Sequence, residues 1–157
     1  FKAKQLSEQL KDTCYSQEFT YRLAMIAYKQ KKYMDAAKYF KRSYSSASAC
    51  DKMYPYVLQE YLDNVGLCYE KMNIHDSALY YYDSALLFIK RNSSNFPSPI
   101  LIEKALAVVY GNIGGLYLAI GKTDTAIALL KKSFSINIQP GYDTTDALLT
   151  HLKLAAA

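Results

Sequence analysis

Histidine is nearly missing from this chain. With only His75 and His151 among 157 residues, a histidine-dependent triad or metal site would have to assemble from very few parts, so both read as ordinary surface or helix-end residues. Cysteine is scarce and odd in number: Cys14, Cys50 and Cys68 carry no C-x-x-C spacing, and neither a disulfide framework nor a zinc site is indicated. A polybasic run is also lacking. Lys and Arg total 19 against 14 Asp and Glu, a net charge of +5, but the basic residues are scattered as singlets and pairs such as Lys31–Lys32, Lys41–Arg42, Lys90–Arg91 and Lys131–Lys132. Pairs of that kind suit helix ends, where cations meet the favourable end of the macrodipole, and no nucleic-acid partner is expected. Strand signals are absent. There is no charged leader followed by an apolar core and a cleavage site, and the chain begins at Phe1, so the natural N-terminus is expected upstream. That leaves a cytoplasmic or a periplasmic location open.

What the chain has is apolar and aromatic material at helical spacing: 51% hydrophobic residues and 16 tyrosines. Apolar positions recur at three and four in "LDNVGLCYEKM" and "SALYYYDSALLFI", the period of a helix with one buried face. Pro55 and Pro99 fit early helix positions, Asp76 and Asp124 lie beside helix starts, and Pro140-Gly141 stops a helix before another begins near Asp143. Residues 105–121 carry no charge and contain Gly111-x-x-x-Gly115, the form of a membrane dimer motif. A span needs about 20 predominantly apolar residues, and this stretch carries Asn112 and two tyrosines, so no membrane insertion is expected. The glycines match neither phosphate-loop pattern. Glu60 and Asp63 share a helix face without any partner that would make them an acid–base pair. No catalytic residue, no metal and no cofactor is expected.

One spacing occurs three times. Leu62-x-x-Val65-Gly66-x-x-Tyr69 aligns with Tyr110-x-x-Ile113-Gly114-x-x-Tyr117. In each an alanine follows the tyrosine by nine residues, Ala78 and Ala126, and a large residue follows by four more, Tyr82 and Leu130. Leu23-Ala24-x-x-Ala27, Ala36 and Phe40 form a weaker copy. The pattern resembles the tetratricopeptide repeat, in a lengthened form similar to that of bacterial signalling proteins. The resemblance implies an all-α, α-α superhelix of seven to eight antiparallel helices in a single domain over residues 1–157. Repeats would cover 17–50, 52–92 and 98–139. Residues 1–16 would be the second helix of a truncated upstream repeat, and 143–157 the first helix of a truncated downstream one.

The resemblance also implies a site. In that family the first helices of successive repeats line a concave groove, and the stripe carried over is Glu18, Tyr21, Met25 and Tyr28, then Glu60, Asp63, Leu67 and Glu70, then Val108, Gly111, Gly115 and Leu118, with Asn64 and Asn112 flanking. Each set runs i, i+3, i+7, i+10 on one face. The groove is expected to be acidic in the middle and apolar toward its C-terminal end. The carboxylate clamp of the co-chaperone branch is not reproduced, since the comparable positions hold Tyr21, Asp63 and Gly111. The expected partner is a protein or peptide segment with apolar and basic residues, and the open repeat ends are expected to self-associate. The implied function is a non-catalytic binding module, the sensory or regulatory region of a two-component sensor kinase. The alternative is a free-standing adaptor or signalling-peptide receptor.

Overall fold

The structure, a computed structural model, describes residues 13–50, 53–142 and 144–156. Every regular element among them is helical: α1 (Thr13–Lys29), α2 (Tyr33–Ser48), α3 (Pro55–Lys71), α4 (His75–Arg91), a short 3-10 turn (Ser93–Asn95), α5 (Pro99–Ala119), α6 (Thr123–Asn137) and α7 (Thr144–Ala155). The fold is the expected all-α helical repeat type, with seven α-helices among the described residues. The helix expected over residues 1–16 lies mostly outside them, and Thr13–Ser16 belong to α1 rather than to a preceding element. The starts follow local chemistry. Pro55 opens α3 after an extended Tyr54, where a missing N–H costs nothing. Ser98 caps α5, its hydroxyl accepting from the Leu101 N–H at 3.4 Å, which satisfies one of the orphan donors of the first turn.

The helices pair through three corners built alike. Lys31 (φ 60°), Asn73 (φ 58°) and Gly121 (φ 77°) occupy the left-handed region, each seven residues after Ala24, Gly66 or Gly114. The next N–H reaches back five residues in every case: Lys32 to Ala27 O at 2.9 Å, Ile74 to Tyr69 O at 2.9 Å, Lys122 to Tyr117 O at 2.8 Å. The left-handed residue itself donates to the carbonyl three back, on Tyr28, Glu70 or Leu118. These are Schellman terminations, which close the last carbonyls of one helix and aim the chain into the next. The sequence repeat is therefore a structural repeat at its corners.

Close approach within each pair explains the small residues. Ala24, Ala36, Ala78 and Ala126 are fully buried, as are Phe40, Tyr82 and Leu130 that follow the second-helix alanines. A Cβ on Gly114 would lie 2.7 Å from Leu130 Cγ and 3.3 Å from the Ala126 carbonyl, so only glycine admits α6 at this distance. The chain divides into two compact units, Phe1–Tyr81 and Tyr82–Ala157, the division falling within α4. In the first, Phe40, Val65, Cys68 and four alanines form a core flanked by Tyr21, Tyr28, Tyr33, Tyr39, Tyr69 and Tyr81. In the second, Ile89, Val109, Ile113, Leu116 and Leu130 are buried with Ala105 and Ala107. Among the described residues α5 alone is long and apolar enough to cross a membrane, by length and composition. Part of that composition is buried in the fold, at Ala105, Ala107, Val109, Ile113 and Leu116, while Ile100 and Val108 are exposed.

The cysteines depart from expectation. Cys68 is a free, buried thiol, whereas Cys50 is disulfide-bonded. Spacing along the chain did not indicate this bond, because cysteines far apart in sequence pair only when a fold brings them together.

Candidate functional site

In the first unit the predicted stripe falls on facing sides of α1 and α3. Glu18, Tyr21 and Glu60 line an open cleft of about 440 Å³ together with Gln17, Arg22 and Tyr61. Its geometry is fixed from below. Gln17, only 8% exposed, accepts a hydrogen bond from the Tyr61 hydroxyl, and its own carbonyl accepts from the Ser43 hydroxyl at 3.2 Å. The Tyr21 and Tyr61 rings sit 5.2 Å apart. The Tyr21 hydroxyl donates to Glu60 Oε1 at 2.5 Å, so that carboxylate is held by a phenol rather than by a cation. Glu18 instead pairs with Arg22 at 2.6 Å, both ends exposed. An exposed i, i+4 pair of this kind contributes only about 0.3–0.5 kcal/mol. With Glu18 and Arg22 cancelling, Glu60 leaves the cleft with one net negative charge.

The tyrosines here are hard to ionise. Burial, and then the hydrogen bond to Glu60, hold the Tyr21 hydroxyl well above its usual range. Burial first, then the charges of Glu60 and Glu18, push Tyr61 up to about 12. Both remain neutral donors at any ordinary pH. Arg22 and Tyr61 were not on the sequence stripe. The i, i+4 spacing of Glu18 and Arg22 was a readable signal for the first; nothing local marks the second.

Other members of the stripe are placed differently. Asp63 is 4% exposed, which corrects its assignment as a groove carboxylate: it faces the interior. Met25 and Tyr28 pack against the core, Tyr28 lying edge-on to Tyr33 with centroids 5.3 Å apart. Asn64 is half-buried on α3. Leu67 and Glu70 are half-buried on α3.

In the second unit Val108 is exposed and Asn112, Gly115 and Leu118 are half-buried, but Gly111 is buried. The room left by Gly111 and Gly115 is not open to a partner. A Cβ on Gly111 would meet Ser133 Oγ at 3.1 Å, and one on Gly115 would meet Lys153 Nζ at 3.1 Å. The C-terminal end of the expected groove therefore carries an ammonium from α7, where an apolar surface was predicted. Among the described residues no group of three His, Cys, Asp or Glu is clustered to hold a metal ion.

Antiparallel helix pairs with recurrent corners define a helical repeat-like protein. No protein-family model and no curated protein matches the chain significantly. Among solved structures it is similar to BtubC (BKLC) from P. vanneervenii, at 19% sequence identity and a TM-score of 0.49, covering 99% of this chain and 77% of that one.

Proposed function

We propose that this chain is a non-catalytic, tetratricopeptide-like module that binds a protein or peptide segment. The observation carrying this reading is the α1–α3 cleft: two successive first helices present Tyr21 and Glu60 to one open surface of net negative charge, on a chain of net charge +5. A segment with basic and apolar side chains suits it, the cation meeting Glu60 and the Tyr21 ring and the apolar part meeting Met53 and Val57 on the cleft wall. Titration by calorimetry with a Lys/Leu-rich peptide and with its Glu/Leu counterpart tests this. The basic peptide should bind and the acidic one should not. Glu60→Lys should weaken binding about tenfold, or 1.4 kcal/mol, and Leu67→Glu should mark the edge of the footprint. Unchanged affinity in both variants would remove the cleft from consideration.

The finer reading is the sensory or regulatory region of a bacterial two-component sensor kinase. It is supported by the likeness of "NVGLCYEKM" and "YGNIGGLYLAIGKTDTAIALLKKS" to such segments. The disulfide at Cys50 favours a periplasmic location, because such bonds persist in oxidising compartments. Thiol alkylation under denaturing conditions should modify Cys50 only after reduction. The full reading frame separates the alternatives: a membrane span with a kinase domain supports the sensor, and a stop soon after Ala157 leaves an adaptor. Self-association of the open end would involve Leu148, Leu149 and Leu152 of α7, each more than half exposed; sedimentation as a monomer at every concentration would refute it.

A further inference from the structure

Gly111 and Gly115 stand about one turn apart on α5, and the space they vacate is filled by a lysine. Lys153 of α7 donates to the Gly111 carbonyl at 2.9 Å, and its Cε and Nζ lie within 3.3 Å of where a Gly115 Cβ would be. The side chain lies flat on the α5 backbone, half-buried, with its ammonium held in one place. Beside it is a cavity of about 70 Å³ whose polar lining includes Asn112, Asn137, Asp146 and Lys153, with Val108 and Leu149 on its apolar side. The Ser133 and Thr150 hydroxyls, 3.3 Å apart, bond to each other at its edge.

Asn137 is the telling residue. It is 2% exposed, and its side-chain nitrogen is buried without a hydrogen-bond partner. Buried donors in native proteins are nearly always satisfied, and an orphaned one calls for an explanation. Formal charge narrows the choice of ligand. Asp146 and Lys153 cancel, so the cavity attracts neither an anion nor a cation by net charge; what it offers is a dipole. An amide N–H and an ammonium stand on the donor side and a carboxylate on the acceptor side.

We propose that this cavity is a binding site for a primary carboxamide, such as the side chain of an Asn or Gln on a partner. The carboxamide oxygen accepts from Asn137 Nδ2 and Lys153 Nζ, and its NH₂ donates to Asp146. Size agrees: at roughly 10–15 Å³ for each water-sized group, the cavity takes about five such groups, enough for a carboxamide and one methylene but not for a ring. This site does not depend on the α1–α3 cleft, and its test involves no peptide.

The experiment is ¹⁵N NMR of the whole chain titrated separately with acetamide, acetate and methylammonium at constant ionic strength. Acetamide should give saturable shifts of the Asn137 side-chain NH₂ and of the Gly111 and Thr150 amides. The two ions should bind at least about tenfold more weakly, because a site built to bond both ends of an amide penalises a ligand lacking one. Asn137→Leu should abolish the acetamide response. Lys153→Met, which keeps the aliphatic stem over Gly115 and removes only the ammonium, should weaken it and serves if the first variant does not fold. A non-saturating response to acetamide, equal responses to all three probes, saturation retained in folded Asn137→Leu, or an unchanged affinity in folded Lys153→Met would overturn the proposal; water alone would then fill the cavity.

Discussion

Phe40 and Leu130 hold equivalent places, each four residues after a fully buried alanine, yet their surroundings differ. Around Phe40 the first unit packs tyrosine rings, Tyr21 lying 5.7 Å away and tilted by 60°. Around Leu130 the second unit packs aliphatic chains onto a glycine. Twelve of the sixteen tyrosines fall in the first unit and four in the second, whereas five of the six glycines fall in the second. The same corner and spacing are thus filled in two ways. In the first unit tyrosine rings flank the buried alanines; in the second, Gly114 leaves room for Leu130 against α5. The cleft lies where tyrosines line the helices. The cavity lies where glycines bring α7 down onto α5.

Substitution separates the two solutions. The largest effect is expected for Phe40→Ala, which empties the aromatic core and should cost about 3–5 kcal/mol. Hydrogen exchange should rise first in α1–α3; an equal rise in α5–α7 would show that the units do not unfold separately. Gly114→Val comes next. Its added atoms meet Leu130 and the Ala126 carbonyl, and overpacking of this kind costs roughly 1–3 kcal/mol. Chemical denaturation should register the loss, and exchange should place it in α5–α6.

Alkaline titration should distinguish the units by charge. Burial pushes the Cys68 thiol from its usual 9.0 up to about 12, and burial likewise raises Tyr28 and Tyr61 from 10.0 to about 12. Each group is neutral when protonated, so above the unfolded-state value the unfolded chain releases protons that the folded chain retains. Stability contributed by these groups is complete below about pH 9 and falls progressively toward pH 12. Thermal melts should be flat in this respect from pH 6 to 8 and then decline, with the tyrosine-rich unit lost first. The smallest effect lies at the corners. Lys31→Gly relieves a left-handed lysine and should stabilise by about 1 kcal/mol, while Gly121→Lys should cost a similar amount.

Much of this architecture was legible beforehand, for a physical reason. Ala24, Gly66 and Gly114, with the alanine and the large residue on the following helix, are set by contacts inside one hairpin, and such contacts leave a local spacing in the chain. Helix period put Glu18 and Tyr21 on one face of α1, and the repeat resemblance, which sets first helices side by side, implied that this face meets Glu60. Neither signal placed Asp63, Lys153 or Asn137. Asp63 sits at the border of a helix stripe, where a small rotation decides between solvent and core. Lys153 reaches Gly115 because of how α7 crosses α5, and that angle is written in no local pattern. Cys50 found its bond the same way, through the fold rather than through spacing.

The three Schellman corners bear on how the chain tolerates change. Each joins its two helices through three residues, whereas the connections between pairs run to six or seven. The small residues of successive pairs are 42 and then 48 residues apart. Most of that difference is one additional turn at the start of α5, and none of it lies in a corner. Length has been absorbed at the outer ends of the hairpins and in the connections between them, and never at a corner. A hairpin is therefore a cassette: an epitope or a reporter spliced into residues 92–98 or 138–142 should leave every corner in register, while one added residue at 30–32, 72–74 or 120–122 would rotate a whole helix out of its groove.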